Sequence, residues 1–288
     1  MIQQLPLPSE WLRQQVARLQ PWVAQASWSP LYGGRTNAAW TAEDDTRQVV
    51  LKLYRAPTGN PLFPNDPKAE AQMLTHLSDM GVAPQLIASF DSDEGHCLLY
   101  HAIPGQRWQE GVEDVAKMMR DFHQQPYPKD LRSVASGSIA LFAQAQAITA
   151  LCTDREGLVL PDHIADVERC DRPVLLHCDI VPGNLIRNDK GLHLIDWQCP
   201  GIGDPCEDMA VFLSPAMQTL YRGHALSPQE QEAFLAAYPE HRDRYLALAP
   251  GFHLRMAAYC QWQVEQGNPD YALGKEAELS ALKAIGRA

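Results

Sequence analysis

The texture of the sequence changes at Pro104-Gly105, and that change limits the folds open to the chain more than any other feature. Before it, "WSPLYGGRTNAAWTAEDDTRQVVLKLYR" holds short alternating runs broken by Gly33-Gly34 and by the polar turn Asp44-Asp45-Thr46. Runs of this kind predict three antiparallel strands joined by tight turns. Ser9 followed by Trp11, Leu12, Val16 and Leu19 at helical spacing predicts a capped amphipathic helix ahead of them. A second helix is expected from about Lys68 to Met80, and "QLIASFDSDEGHCLLYHA" predicts a hairpin turning at Asp93-Glu94-Gly95. Beyond Pro104-Gly105 helices dominate, near Val112 to Gln124, near Ser136 to Leu151 and repeatedly after Asp204. "SPQEQEAFLAAY" is a clear start, since Ser227 can cap, Pro228 suits the first turn and Glu230 completes a capping box. "PVLLH" and "LHLIDW" are the strand-like stretches of this half, and they predict one embedded hairpin. The expected fold is therefore α+β in two lobes. Residues 1–103 form a small antiparallel β lobe with one helix, and residues 104–288 form a larger, mainly helical lobe.

Composition narrows what such a chain does. With 288 residues, 45% of them hydrophobic, it can bury a large core. A formal net charge of −11 argues against a nucleic-acid partner, because phosphate contacts need clustered Lys and Arg. No apolar run reaches the roughly 18 residues of a membrane span, and the start lacks the basic-then-apolar layout of a signal peptide. The seven cysteines are scattered, odd in number and never form C-x-x-C, which favours free thiols in a reducing cytoplasm. No obligate protein partner is visible.

Within the embedded hairpin, "HCDIVPGN" puts His177, Asp179 and Asn184 on one loop. Polar side chains gathered between buried strands are costly unless something binds there. Asp196 closes the second strand, and a hairpin of this length can return it toward Asn184. An Asp and an Asn sharing a space suit magnesium, which takes oxygen ligands and leaves positions for substrate phosphates. In the other half Lys52 lies in the apolar strand "VVLKLY", where an unpaired ammonium would be expensive. Glu70 in the next helix is its natural counter-ion. Gly33-Gly34 would let backbone N–H groups approach phosphate. Together these are the parts of a phosphoryl-transfer site. Lys52 clamps phosphates, Glu70 holds Lys52, Asn184 and Asp196 bind magnesium, and Asp179 accepts the proton of an attacking hydroxyl. His177 reads as a brace for the loop, Cys178 as packing, and Asp208 as a structural anchor for backbone N–H groups.

"HCDIVPGN" followed by "LIDW" resembles the catalytic signature of the aminoglycoside phosphotransferase and choline kinase superfamily, whose fold is protein-kinase-like. "YGGRTNAAW" is similar to the G-G-x-T-N phosphate loop of choline and ethanolamine kinases, which implies Asn37 as a further nucleotide-binding residue. "LKLY" and "AEAQMLTHL" look like the lysine strand and the helix with its glutamate. "LLYHAIPG" resembles the hinge segment and implies nucleotide contacts at His101 and Ile103. The resemblance covers most of the chain and implies ATP and magnesium as cofactors.

The implied activity is phosphorylation of a hydroxyl on a small metabolite, an amino alcohol such as choline, ethanolamine or thiamine. "MAAYCQWQVEQGNPDYA" resembles the W-rich helix of choline and thiamine kinases and offers Tyr259, Trp262 and Glu265 on roughly one face to a cationic headgroup. Trp197 and Gln198 are further acceptor-side candidates. Choline kinases carry Glu then Tyr after "DW" or "DF", whereas here Gln198 and Cys199 follow, and the glutamine looks more like sugar-kinase branches of the superfamily. An amino-sugar or aminoglycoside kinase is thus the alternative acceptor reading. Two alternatives come from other classes. One is a catalytically silent kinase-like binding protein, which would usually have lost one of the residues present here. The other is a hydrolytic metal site from His177, Asp179, His193 and Asp196. His193 and Asp196, three apart on a strand, point to opposite faces, which speaks against it.

Overall fold

The computed structural model describes residues 5–31, 36–54, 59–161 and 164–286. Gly33 and Gly34 lie outside these segments. The described chain runs through α1 (Glu10–Leu19), β1 (Ser27–Pro30), β2 (Ala38–Glu43), β3 (Gln48–Tyr54), α2 (Pro67–His76), β4 (Leu86–Ser92) and β5 (Gly95–His101). It continues through β6 (Gln106–Arg107), α3 (Val112–His123), α4 (Ser138–Leu151), β7 (Val174–Leu176), β8 (Leu185–Asn188), β9 (Gly191–Leu194) and β10 (Gly201–Gly203). Last come α5 (Cys206–Leu213), α6 (Pro215–Arg222), α7 (Pro228–Ala237), α8 (Arg242–Glu265) and α9 (Tyr271–Ile285).

Two compact units result. One comprises Met1–Asn60, Pro64–Gln106 and Ile186–Cys199, the other Pro61–Phe63, Arg107–Leu185 and Pro200–Ala288. In the first, five antiparallel strands take the order β1-β2-β3-β5-β4. Alternation along the central strand β3 puts Val49, Leu51 and Leu53 into a core shared with Leu12 and Val16 of α1. Lys52 and Tyr54 therefore share the other face. The Ser9 hydroxyl caps α1 by accepting the Leu12 N–H at 3.3 Å. Asp66 caps α2, accepting from Lys68 and Ala69. That helix ends at His76, short of Met80, and a 3₁₀ turn over Ser78–Met80 replaces its last residues.

The second unit is mainly helical, and the capping box of α7 is present, with Ser227 and Glu230 bonding each other's backbone N–H. Trp108 meets Phe212 edge-on at 5.3 Å between ring centroids, and Phe212 stacks on Phe234 at 5.0 Å. Gly251 on α8 lets α4 approach closely: a Cβ there would sit 2.7 Å from Leu141.

Two expectations are corrected. "PVLLH" and "LHLIDW" do not pair with each other. β7 pairs antiparallel with β10, while β9 lies beside β8. The stretch "LIRNDKG" supplies the true partner and its tight turn, and "GIG" the other. Nor does one cut after residue 103 divide the chain. The β8–β9 segment is grouped with the first unit because Leu194 N–H donates to Val82 O at 2.7 Å, the His193 ring meets Gly81 O at 2.6 Å, and the Asn188 amide donates to Pro104 O at 2.8 Å.

Candidate active site

The first unit concentrates its charge at Lys52. This side chain is 5% exposed, and its Nζ lies 2.6 Å from Glu70 Oε2 and also bonds Asp196 Oδ1. Tyr54, two residues along β3, donates its phenol proton to the same Glu70 oxygen, and its ring lies 4.9 Å from Nζ. The Trp197 backbone N–H adds a further bond to Glu70. Burial works against the Lys52 charge, but Asp196 and Glu70 outweigh it and push its pKa up. Burial pushes Glu70 up as well, to about 7, against the pull of Lys52. One ammonium thus serves two carboxylates, and an incoming anionic group can compete for it.

Asp196 adopts a left-handed backbone, φ 67°, where strand β9 ends and the chain turns. Trp197 is fully buried and spends its indole N–H on Leu194 O at 2.9 Å. Gln198 is 6% exposed, and its side-chain oxygen accepts from Asn37 at 2.8 Å. His101 is the last residue of β5, its N–H donating to Gln85 O at 2.9 Å, and Ile103 follows the strand.

The second unit holds the 177–184 loop. Asp208, fully buried in α5, accepts the His177 N–H at 3.0 Å and the Cys178 N–H at 2.6 Å. His123 of α3 bonds the same carboxylate at 3.0 Å and is itself held by the Tyr238 hydroxyl at 2.9 Å. Cys178 has φ 64°, the second non-glycine left-handed residue among those described. Burial pushes its thiol well up, so it stays neutral. Asp179 N–H donates to the His177 ring at 3.1 Å, and the half-buried Asp179 carboxylate accepts from the Asn184 amide at 3.2 Å. That amide also donates to the Asp179 carbonyl at 2.9 Å. With Nδ2 committed, Asn184 keeps Oδ1 as the atom able to ligate. Gly183 beside it leaves room for Tyr221, whose ring a Cβ would meet at 2.7 Å.

On α8, Tyr259 stacks on Trp262 at 5.9 Å and receives Phe63 and Tyr271 edge-on at 5.0 and 5.9 Å. Sequence reasoning missed Phe63 and Tyr271. Glu265 is exposed, and its two oxygens accept from the Thr153 and Asp154 backbone N–H groups and from Gln261. Those bonds hold it near pKa 2. It therefore fastens the segment after α4 to α8. His193 has both ring nitrogens engaged, by Gly81 O and Asn188 Oδ1, which removes it from a hydrolytic metal set.

Residues 27–248 match the family model described as the phosphotransferase enzyme family. The chain belongs to this family. The fold of the phosphotransferase is shared with choline kinase LicA from Streptococcus pneumoniae at 16% identity and TM-score 0.64, covering 96% of this chain and 98% of that one. It is likewise similar to a choline/ethanolamine kinase family protein from Mesorhizobium loti at 16% identity and TM-score 0.67, covering 97% and 95%. Spectinomycin phosphotransferase, solved with ADP and spectinomycin, matches at 13% identity and TM-score 0.62, covering 99% and 100%. The chain is thus a phosphotransferase with the α+β fold of these kinases. Among its described residues no helix is long and apolar enough to cross a membrane.

Proposed function

We propose that the phosphotransferase moves the γ-phosphoryl group of ATP, with magnesium, onto a hydroxyl of a small cationic amino alcohol such as choline, ethanolamine or thiamine. The observation that carries the nucleotide half is the buried Lys52 centre, an ammonium kept charged in apolar surroundings by Glu70 and Asp196. An ammonium so placed clamps phosphate oxygens once one carboxylate yields it. The donors assigned to the metal are the Asp196 carboxylate and the Asn184 amide oxygen, hard ligands that fit magnesium, with no thiol or free imidazole among them. Bound there, magnesium would neutralise developing charge on the phosphates. Asp179 accepts the proton of the attacking hydroxyl, and its bond from Asn184 orients the carboxylate for that task. Asn37, His101 and Ile103 remain assigned to the nucleotide, as do Gly33 and Gly34.

For the acceptor, the aromatic group of Phe63, Tyr259, Trp262 and Tyr271 supports a cationic headgroup, since ring faces attract desolvated ammonium. A choline kinase and a choline/ethanolamine kinase family protein of similar fold agree with this reading. An ATP-dependent reaction and seven cysteines outside any disulfide suit the cytoplasm.

The test is a phosphorylation screen over choline, ethanolamine, thiamine, amino sugars and aminoglycosides, with a chelator control and Asp196→Ala beside the wild type. Turnover of an amino alcohol that chelation and Asp196→Ala both abolish is the expected result. Preferred turnover of an amino sugar or aminoglycoside overturns the acceptor assignment. An unchanged magnesium response in Asp196→Ala overturns the metal assignment.

A further inference from the structure

Three side-chain amides meet in the first unit. Asn37, immediately before β2, donates from Nδ2 to Asn65 Oδ1 and to Gln198 Oε1, both at 2.8 Å. Asn65 returns a bond to Asn37 Oδ1 at 2.9 Å. Both amide hydrogens of Asn37 are thereby used, while its oxygen, which has two lone pairs, accepts one bond from Asn65. The Gln198 main-chain carbonyl also accepts the N–H of Asp66, the residue capping α2, at 2.9 Å. Gln198 therefore joins three segments by two different groups. Each segment carries part of the nucleotide half: Asn37 itself, α2 with Glu70, and the turn holding Asp196.

From this we infer that Gln198 is a positioning residue for nucleotide binding, fixing Asn37 through its side-chain oxygen, and does not read the acceptor. The inference rests on the ATP reading proposed above. A buried amide oxygen with a good donor at 2.8 Å has little reason to leave it for a substrate, because its partner would then be stranded. The departure of this position from the acidic residue of choline kinases then acts on the orientation of Asn37 and says nothing about the acceptor's charge. Asn65, not singled out by the sequence, supplies the third corner. It lies just before the α2 cap, where a short polar side chain is expected for local reasons alone and its longer reach is invisible.

Gln198→Met tests this in the full-length protein, since it keeps side-chain length while deleting the acceptor oxygen. The nucleotide KM should rise between about twofold and tenfold, the weight of one neutral hydrogen bond, with the acceptor KM unchanged. Asn37→Ala should raise the nucleotide KM at least as much, and the Asn37→Ala/Gln198→Met double variant should be no worse than Asn37→Ala alone. The inference is overturned by a raised acceptor KM with normal nucleotide KM, by additive effects in the double variant, or by a lowered Tm with both KM values native. If wild type binds and uses ATP while Gln198→Met matches it, this inference alone fails. If wild type binds no nucleotide, the ATP reading falls and takes the inference with it.

Discussion

Around Lys52 in the first unit, ionisable side chains satisfy one another: an ammonium, two carboxylates and a phenol, with Glu70 raised to about 7 by burial. Around the 177–184 loop in the second unit, one buried carboxylate satisfies backbone instead. Asp208 takes two main-chain N–H groups and a histidine that a tyrosine holds in turn. The first arrangement is electrostatically over-subscribed and can be redistributed when a ligand adds charge. The second is a fixed frame, because backbone donors have nowhere else to go once buried. Under the proposed reaction both are useful, an adjustable clamp for a polyanion and a rigid mount for the carboxylate assigned to take the proton.

The largest expected effect would break that contrast directly. Asp208→Ala strands two buried N–H groups and the His123 ring, and should cost about 3–5 kcal/mol in urea unfolding. A loss below about 1 kcal/mol, the weight of a single ordinary hydrogen bond, would show that the loop does not depend on this frame. Next comes Asp179→Asn, which keeps an oxygen for the Asn184 amide but removes the carboxylate proposed as the base. Turnover should fall about 10²-fold or more while stability and nucleotide affinity stay near native, measured by steady-state kinetics beside calorimetry. Trp262→Ala should be milder, raising the acceptor KM several-fold, consistent with about 0.5–2 kcal/mol per ring, and leaving the ATP KM unchanged. The smallest effect belongs to Glu265→Gln. The folded carboxylate titrates near pH 2 against 4.5 when unfolded, so its contribution is complete above pH 4.5 and disappears as pH falls through 2. A Tm deficit of the variant at neutral pH should therefore vanish in acid, with the acceptor KM untouched throughout.

Local pattern makes much of this legible. Alternation places Lys52 on β3, the Ser227–Glu230 spacing marks the capping box, and "HCDIVPGN" gathers His177, Asp179 and Asn184. What escapes depends on distance along the chain. His123 reaches Asp208 from 85 residues upstream, Tyr238 at the end of α7 reaches His123 in turn, and no periodicity links them. Tyr54 looks like one more strand aromatic until Glu70 is seen beneath its hydroxyl. β10, with a single side chain in "GIG", has no alternation to detect, so sequence pattern pairs β7 with the wrong partner. Glu265 keeps helical phase with Tyr259 and Trp262, yet phase says nothing of the Thr153 and Asp154 donors that occupy it.

The left-handed backbone at Cys178 has a consequence for anyone randomising this loop by codon. Among residues of similar bulk, Val and Thr would ordinarily replace a buried cysteine most gently. At φ 64° their branched Cβ meets the backbone, a penalty on the order of 1–3 kcal/mol, while Gly, Asn and Asp enter that region with least strain. Size-matched libraries would therefore be depleted of working clones here, and a similarity matrix would rank the survivors in reverse.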